Sequence, residues 1–191
     1  IGRETDRLYD MVEELLSFSR LQSGVKLECR PLDLVAELTD VALFMEARIR
    51  AEGLHLVYEE PELPLPIWAD AGRLRQVFIN VMDNAVKYSS PGGAITLDLL
   101  QDGENVYVLI QDEGRGIAPD DLENVKLKFF KGKGAVRGSG IGLAVVDEIM
   151  TALDGSADIS SELGKGTTVT LRLPIYRGGG EPPAWAVQQA R

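Results

Sequence analysis

The stretch from Asp70 to Tyr88 constrains the fold more than any other part of this 191-residue chain. Asp70 is a favourable helix N-cap residue, because its side-chain oxygen can accept a backbone N–H of the first turn. Apolar residues then recur at the spacing of a helix, which predicts an amphipathic helix with one core face. These apolar residues are Leu74, Val77, Phe78, Val81, Met82 and Ala85.

A polar stripe follows the same predicted helix. Asn80, Asn84 and Lys87 stand four and three residues apart, so their side chains leave from one side of the helix, and Tyr88 follows one turn beyond Asn84. A carboxamide oxygen can bind a hard cation, and an ammonium group can pair with phosphate. The stripe therefore favours a site for Mg²⁺ and the phosphates it bridges, although a solvated helix face explains these residues equally well in isolation.

Composition narrows the class of protein. The formal net charge of -10 and the pI of about 4.7 argue against a nucleic-acid partner or an anionic membrane surface. Cys29 is the only cysteine, so no intrachain disulfide can form, which suits a reducing compartment. No apolar run in the sequence approaches a transmembrane span, and we expect no signal peptide. We therefore expect a cytoplasmic location without membrane contact by these residues. Because the chain begins at Ile1, we also expect it to be a fragment, and any membrane anchor of the intact protein would lie outside it.

The order of predicted elements indicates an α+β protein. The fold we expect is a two-layer α/β sandwich, with helices on one face of a mixed sheet, preceded by one long helix. The predicted helices are 3–22, 33–52, 70–88, 119–124 and 138–152, and the predicted strands are 26–30, 54–59, 67–69, 94–100, 106–111, 157–161 and 167–173. The expected parts are a helix at 1–24, one α/β domain at 25–176 and a Gly/Pro-rich disordered tail at 177–191.

The first predicted helix carries an apolar seam. Leu8, Met11, Leu15 and Phe18 repeat with the three-four-three spacing of a coiled coil. This spacing favours a bundle with another helix or a second chain, and packing on the helix's own domain is the alternative. We therefore expect a homodimer formed through residues 3–22.

A carboxylate and two glycines follow a predicted strand. Asp112 lies just past it, and Gly114 and Gly116 come next. A carboxylate there can accept a hydrogen bond from an exocyclic amine such as that of adenine, and glycines let the backbone approach a flat ring. An ordinary strand-end turn is the alternative reading.

A second glycine cluster opens the predicted helix near residue 140. It reads Gly138-Ser139-Gly140-Ile141-Gly142-Leu143. Free backbone N–H groups and the helix dipole favour phosphate at such a position, with a flexible hinge as the alternative. The preceding loop, 125–137, is locally basic in an acidic chain and contains Phe129 and Phe130, which favours a lid over a charged ligand. A solvated loop with a hydrophobic anchor is the competing interpretation.

Taken in this order, these elements resemble the catalytic, ATP-binding domain of sensor histidine kinases, in the superfamily that also contains gyrase, the heat-shock 90 chaperones and mismatch-repair ATPases. The resemblance covers roughly residues 26–174. Residues 80–88 resemble the N box, 112–117 the G1 box, 129–130 the F box, 138–143 the G2 box and 164–167 the final glycine turn. Residues 15–24 resemble the end of the second helix of the family's dimerisation and phosphotransfer hairpin.

The resemblance implies ATP and Mg²⁺ as cofactors and transfer of the γ-phosphoryl group to a histidine. It implies that Asn84 ligates Mg²⁺, Asn80 supports the metal and phosphates, Lys87 contacts phosphate and Tyr88 lines the nucleotide site. Lys131 stands where the family commonly has an arginine, so its phosphate contact would be monodentate. Asn80, Lys87 and Lys131 are the residues expected to take part in catalysis.

The resemblance also implies a base-binding end of the site. Asp112 would read the adenine amine, with Thr167 nearby. The remaining residues implied to bind nucleotide are Gly114, Gly116, Ile117, Gly138, Ser139, Gly140, Ile141, Gly142 and Leu143. An ATP-hydrolysing chaperone or mismatch-repair relative would carry a glutamate at the position of Asn80, because an asparagine cannot take a proton at neutral pH.

One departure from the family concerns the phosphate acceptor. The only histidine, His55, lies in a strand pattern and is followed by Leu56, whereas the family's acceptor lies on a helix and is followed by an acidic residue. We therefore interpret His55 as structural and expect the acceptor helix to lie outside this sequence, with a response-regulator receiver domain as the partner of the intact kinase. A serine kinase of the anti-sigma type and a nucleotide-gated interaction module without kinase activity are the alternatives.

Overall fold

The described part of the chain combines helices with a mostly antiparallel sheet, as expected of an α+β protein. The computed structural model describes residues 27–122, 124 and 142–189. In chain order the elements are β1 Arg30–Asp33, α1 Leu34–Ala51, β2 His55–Tyr58, β3 Pro66–Ala69, α2 Ala71–Tyr88, β4 Ala94–Gln101, β5 Asn105–Asp112, α3 Pro119–Leu122, α4 Gly142–Ala152, β6 Ser156–Glu162, β7 Gly166–Pro174 and α5 Ala184–Gln189.

The main sheet is mixed, as predicted. Its described strands have the order β2-β4-β5-β7-β6, and β2 is parallel to β4 while the other pairs are antiparallel. A separate antiparallel pair joins β1 to β3. The parallel pair is joined through β3 and α2, which provide the crossover that parallel strands need. The predicted two-layer α/β arrangement is thereby confirmed.

The core lies between the sheet and the helices. On β5, Val106, Val108 and Ile110 are buried and alternate with half-buried residues, so one face of the sheet is covered. The apolar stripe predicted on α2 is buried in full, and Phe78 at its centre is completely inaccessible to solvent. Burial of this stripe fixes the rotation of α2 about its own axis and therefore the direction of its polar stripe.

Two aspartates cap the long helices, and the cap at Asp70 is as the sequence predicted. The Asp33 carboxylate accepts the N–H of Val35 at the start of α1 at 3.1 Å. The Asp70 carboxylate accepts the N–H of Arg73 in the first turn of α2 at 3.0 Å, and its second oxygen accepts the N–H of Glu28 at 2.9 Å. Asp70 therefore ties the segment before β1 to the start of α2.

The first described strand lies further along the chain than predicted. The sequence pattern placed it at 26–30, before Pro31, whereas β1 is Arg30–Asp33 and includes Pro31. Proline is tolerated at that position because β1 has a paired strand on one side only, so the missing N–H leaves no ladder bond unmade.

The segment predicted to be disordered, 177–191, contains regular structure in its described part, since α5 spans Ala184–Gln189. The Tyr176 ring packs against Trp68 with 5.1 Å between ring centroids, and its hydroxyl accepts the N–H of Gly180 at 2.8 Å. The same hydroxyl donates to the carbonyl of Glu181 at 2.9 Å, and Trp185 of α5 packs against the core. Aromatic packing over a long sequence separation orders a segment whose composition alone favours disorder.

Two predicted elements lie outside the described residues: the helix at 3–22 with its apolar seam, and the basic loop at 125–137. Within the ranges that the structure describes, no helix combines the length and the apolar character needed to cross a membrane.

Replacing the cap of α2 should destabilise the domain. We expect Asp70→Ala to lower the free energy of unfolding by about 1–2 kcal/mol, because two backbone N–H groups lose their acceptor. Asp70→Ser should recover part of the loss, since serine also caps helices. Asp98→Ala, at an exposed position of β4, is the matched control and should change little. Urea unfolding followed by circular dichroism measures the difference, and equal midpoints for Asp70→Ala and the control would contradict it.

Candidate functional site

Three polar side chains form a row across neighbouring strands at one end of the sheet. Asp112 at the end of β5 is paired with Thr167 of β7, which is paired in turn with Ser161 of β6. Side chains at directly opposed positions point to the same face of a sheet. That face is the one covered by the helices, because Ile110 and Val169, each two residues along the same strands, are buried. We refer to Asp112, Thr167 and Ser161 as the polar row.

Asp112 is the buried member of the polar row, with only 7% of its surface exposed. One carboxylate oxygen accepts the N–H of Gly114 at 2.9 Å, and the carboxylate also accepts the backbone N–H of Thr167. Burial raises the pKa of Asp112 to about 6, and the two backbone N–H groups offset part of that rise. The ionised group donates no hydrogen bond, so it can recognise only a ligand that donates.

The glycines around Asp112 are required by the approach of protein backbone. A Cβ on Gly114 would lie 2.6 Å from a carboxylate oxygen of Asp112, and a Cβ on Gly166 would lie 1.9 Å from the Asp112 carbonyl oxygen. Gly116 has a φ of +67°, and a Cβ there would lie 2.1 Å from the carbonyl oxygen of Glu162. The sequence pattern predicts that Gly114 and Gly116 let the backbone approach a flat ring. The structure shows close approach between segments of this chain, so these positions require glycine even without a ligand.

The polar stripe of α2 forms a second wall. Asn80, Asn84 and Lys87 are half-buried on α2, and the carboxamide nitrogen of Asn80 lies 3.5 Å from the carbonyl oxygen of Gly142 at the start of α4. Gly142 and Leu143, the last two residues of the predicted phosphate-binding cluster, thus begin a helix next to the stripe. Positions 138–141 and Lys131 lie outside the described residues.

The end of α2 is tied to the segment that follows Asp112. The carbonyl of Tyr88 accepts the N–H of Arg115 at 3.3 Å, and Ser89 forms an isolated β-bridge with Gly114. The carbonyl of Arg115 in turn accepts the N–H of Gly164 at 2.7 Å. These bonds bring together the three sequence segments predicted to form one site: the end of α2, the loop after β5 and the β6–β7 turn.

Two basic side chains lie near the ring of Tyr88. The guanidinium carbon of Arg115 is 4.8 Å from the ring centroid, and the Lys87 Nζ is 5.2 Å from it. Both distances fall within the range of cation–π attraction. Burial raises the pKa of the Tyr88 hydroxyl, and the nearby Arg115 charge lowers it by a smaller amount. Sequence reasoning missed Arg115, although its position between the two glycines of the G1-like segment was a signal for it.

The donor set fits a magnesium nucleotide. Asp112 offers a buried hydrogen-bond acceptor, while Asn84 offers a carboxamide and Lys87 a cation on α2. Among the residues that the structure describes, no group of three or more His, Cys, Asp or Glu side chains could hold a metal ion. Mg²⁺ is commonly held by one or two protein oxygens together with substrate phosphates, which matches this set.

The raised pKa of Asp112 predicts a pH-dependent stability. The folded chain holds this proton up to about pH 6, whereas the unfolded chain releases it near pH 3.8. Because the folded state binds more protons between these values, stability should fall as pH rises from about 4 to about 6, by on the order of 1–3 kcal/mol. Asp112→Asn removes this contribution, so its stability relative to the native chain should increase over the same interval.

Thermal unfolding of the native chain, Asp112→Asn and the exposed-site control Asp98→Asn at several pH values tests the expectation. The control should keep the native pH profile. Parallel profiles for the native chain and Asp112→Asn would contradict the assignment.

Comparisons with known proteins agree with this geometry. Residues 69–177 match the family described as histidine kinase-, DNA gyrase B- and HSP90-like ATPases. The adaptive-response sensory kinase SasA of Synechococcus elongatus is 37% identical over 92% of this chain and 46% of its own length.

Two solved structures show the same fold. Full-length ShkA in complex with AMPPNP matches with a TM-score of 0.77 and 31% identity, over 92% of this chain and 37% of its own. Histidine kinase ThkA in complex with response regulator protein TrrA matches in fold, with a TM-score of 0.73 and 23% identity over 92% of this chain and 49% of that one. The chain thus spans less than half the length of each of these relatives. The chain belongs to the histidine kinase-, DNA gyrase B- and HSP90-like ATPase family, and within it to the ATP-binding catalytic part of the two-component histidine kinases.

Proposed function

We propose that this chain binds Mg-ATP and donates its γ-phosphoryl group to a histidine. The observation that carries the proposal is the buried Asp112 carboxylate, whose following loop is bonded to the end of α2, the helix that carries the half-buried polar stripe. Asp112 accepts a hydrogen bond from the adenine amine, and Thr167 lies beside it in the polar row. Gly114, Gly116 and Ile117 form the loop around the ring. Tyr88 closes the wall at the end of α2.

The phosphate end of the site is formed by α2 and the start of α4. Asn84 ligates Mg²⁺, Asn80 supports the metal and the phosphates, and Lys87 pairs with a phosphate oxygen. Lys131 and the backbone of 138–143 complete this end. The nearness of Asn80 to Gly142, 3.5 Å between the carboxamide nitrogen and the carbonyl oxygen, supports a shared role for the two segments.

Phosphoryl transfer asks little covalent chemistry of a protein. A bond forms between an imidazole nitrogen and the γ-phosphorus as the bond from that phosphorus to the bridging oxygen breaks, and ADP leaves. The residues of this chain hold the phosphates in line and place positive charge where negative charge develops, which is the role proposed for Lys87 and Lys131.

The acceptor is proposed to be a histidine on a phosphotransfer hairpin, with a homodimer formed through residues 3–22. His55, the one histidine of the sequence, begins the edge strand β2, where it is exposed and next to Leu56. A strand position of this kind offers neither the helix nor the acidic neighbour expected of the acceptor. A response-regulator receiver domain is the proposed next acceptor, by analogy with the ThkA–TrrA complex. The proposed location of these residues is the cytoplasm.

Removing the proposed metal ligand should weaken Mg-dependent binding. We expect micromolar ADP affinity for the native chain, roughly -7 to -8 kcal/mol. Asn84→Ala should lower the affinity in Mg²⁺ by at least about tenfold, since even outer-shell partners of a bound metal ion are worth that much. In EDTA the variant and the native chain should bind equally. Calorimetry measures both, with Gln101→Ala, exposed at the far end of β4, as the control. An equal loss with and without Mg²⁺ would assign Asn84 another role.

Phosphotransfer decides between a kinase and a binding module. Incubated with γ-labelled ATP, the chain should bind nucleotide but label itself only when a phosphotransfer hairpin is supplied in trans. The label should be acid-labile and base-stable, because the bond is to nitrogen. Lys87→Ala should slow transfer more than it weakens binding, if the ammonium stabilises the transition state.

Three results would contradict this proposal. Labelling of the chain alone that disappears in His55→Ala would make His55 the acceptor. Acid-stable phosphate on serine or threonine would indicate a serine kinase. Tight ATP binding with no transfer to any supplied hairpin would indicate a nucleotide-gated module.

A further inference from the structure

The hydroxyl of Ser161 contacts three groups from two separate segments. Its oxygen lies 2.8 Å from the backbone nitrogen of Ile117, 2.8 Å from the carbonyl oxygen of Gly166 and 2.9 Å from the hydroxyl oxygen of Thr167. Ile117 belongs to the loop after Asp112, and Gly166 and Thr167 belong to the start of β7. Nothing in the sequence motif singled out Ser161, yet it lies at the meeting point of these segments.

The directions of these hydrogen bonds follow from counting protons. A serine hydroxyl has one proton to donate and two lone pairs with which to accept. The Ile117 N–H can only donate, and the Gly166 carbonyl can only accept, so the single Ser161 proton is directed to Gly166. The contact with Thr167 must then run the other way. Thr167 donates its hydroxyl proton to Ser161.

These bond directions determine which hydrogen-bonding groups of Thr167 remain for a ligand. Its backbone N–H is donated to the Asp112 carboxylate and its hydroxyl proton is donated to Ser161. Only the two lone pairs of the Thr167 hydroxyl then remain to accept a hydrogen bond from a ligand. The ionised Asp112 is likewise an acceptor only. The polar row therefore presents acceptors and no donor to a bound ring.

We propose that Ser161 is a specificity-determining positioning residue. By accepting the hydrogen bond that the Thr167 hydroxyl donates, it makes the site select a 6-aminopurine over a 6-oxopurine. This inference rests on the proposed function, because it requires the purine ring to lie at Asp112. Ser161 acts through Thr167 and does not touch the ring.

The chemistry of the two bases explains the selection. The exocyclic amine of a 6-aminopurine offers two N–H donors, which the acceptors of Asp112 and Thr167 can satisfy. A 6-oxopurine places an oxygen at the same position, so lone pairs would face lone pairs. A buried polar site discriminates strongly when the wrong ligand leaves its groups unpaired. If Ser161 no longer takes up the proton, the Thr167 hydroxyl can rotate and donate to the 6-oxo group.

The test compares MgADP with the magnesium complex of inosine diphosphate, by calorimetry on the whole 191-residue chain. The native chain should prefer ADP. In Ser161→Ala, the affinity for inosine diphosphate relative to ADP should rise by about three- to tenfold, the value of one hydrogen bond. Ser161→Thr keeps the hydroxyl and should keep the native preference. A merely structural role would weaken both nucleotides together and leave the ratio unchanged, which would overturn the proposal.

A second pair of variants isolates Thr167. Thr167→Val removes the hydroxyl at nearly constant shape and should reduce the preference by weakening ADP binding, whereas Thr167→Ser should keep it. Adding Ser161→Ala to Thr167→Val should give no gain in inosine diphosphate affinity, because no hydroxyl remains to rotate. A gain in that double variant would overturn the proposal.

Three outcomes separate failure of this inference from failure of the proposed function. If Ser161→Ala does not fold, the Thr167 pair decides alone, and retention of the preference by valine overturns the inference. If the native chain binds neither nucleotide, the proposed function fails together with this inference. If the native chain prefers ADP and Ser161→Ala does so equally, only the role of Ser161 is rejected.

Discussion

The candidate site depends on the burial of one carboxylate. Removing Asp112 from water penalises its charge, and the two backbone N–H groups from Gly114 and Thr167 offset part of that penalty. Both donors come from segments that can approach only where a side chain is missing, since a Cβ on Gly114 or Gly166 would overlap Asp112. The glycines therefore hold a dehydrated acceptor in place. Their freedom of motion is secondary to the space that they leave.

The loop that follows Asp112 holds the end of α2 next to the sheet. The loop after Asp112 has few side chains with which to pack, so it is held by backbone bonds: the Arg115 N–H to the carbonyl of Tyr88 and the Gly164 N–H to the carbonyl of Arg115. The first bond reaches the end of α2 and the second reaches the β6–β7 turn. The helix that carries Asn84 and Lys87 is thereby positioned against the strands that carry the polar row. The bond from the Gly114 N–H to Asp112 is buried, and a buried bond favours one arrangement because leaving it unmade would be costly.

The sequence predicted the parts of this architecture that depend on local pattern. The cap at Asp70, the stripe of α2 and the strands at β4 and β5 follow from short-range rules, and the structure has all of them. Asp112 could be found only from the order of the motifs, since a carboxylate followed by glycines also fits an ordinary strand-end turn. The α+β layering followed from the order of elements.

What could not be predicted depends on contacts between distant residues. Ser161 acquires its role from the strand register that places it opposite Thr167 and from a bond to Ile117, 44 residues away along the chain. The helix α5 forms in a Gly/Pro-rich segment because Trp185 finds a packing surface. The start predicted for β1 was too early. Whether a strand can include Pro31 depends on how many other strands pair with it. None of these contacts can be predicted from a stretch of ten neighbouring residues.

The segments that precede β1 and follow β7 contact residues just before α2, away from the polar row. The described chain enters beside Asp70, where that carboxylate accepts the Glu28 N–H, and after β7 it passes Pro66, whose carbonyl accepts the Tyr176 N–H. Both points adjoin the start of α2, whereas the polar stripe and the polar row lie toward its end. An 18-residue helix is about 27 Å long. A movement of the segment before β1 or after β7 would therefore reach α2 at its start. The bonds around Asp112 lie toward the other end of that helix, so such a movement need not disturb them.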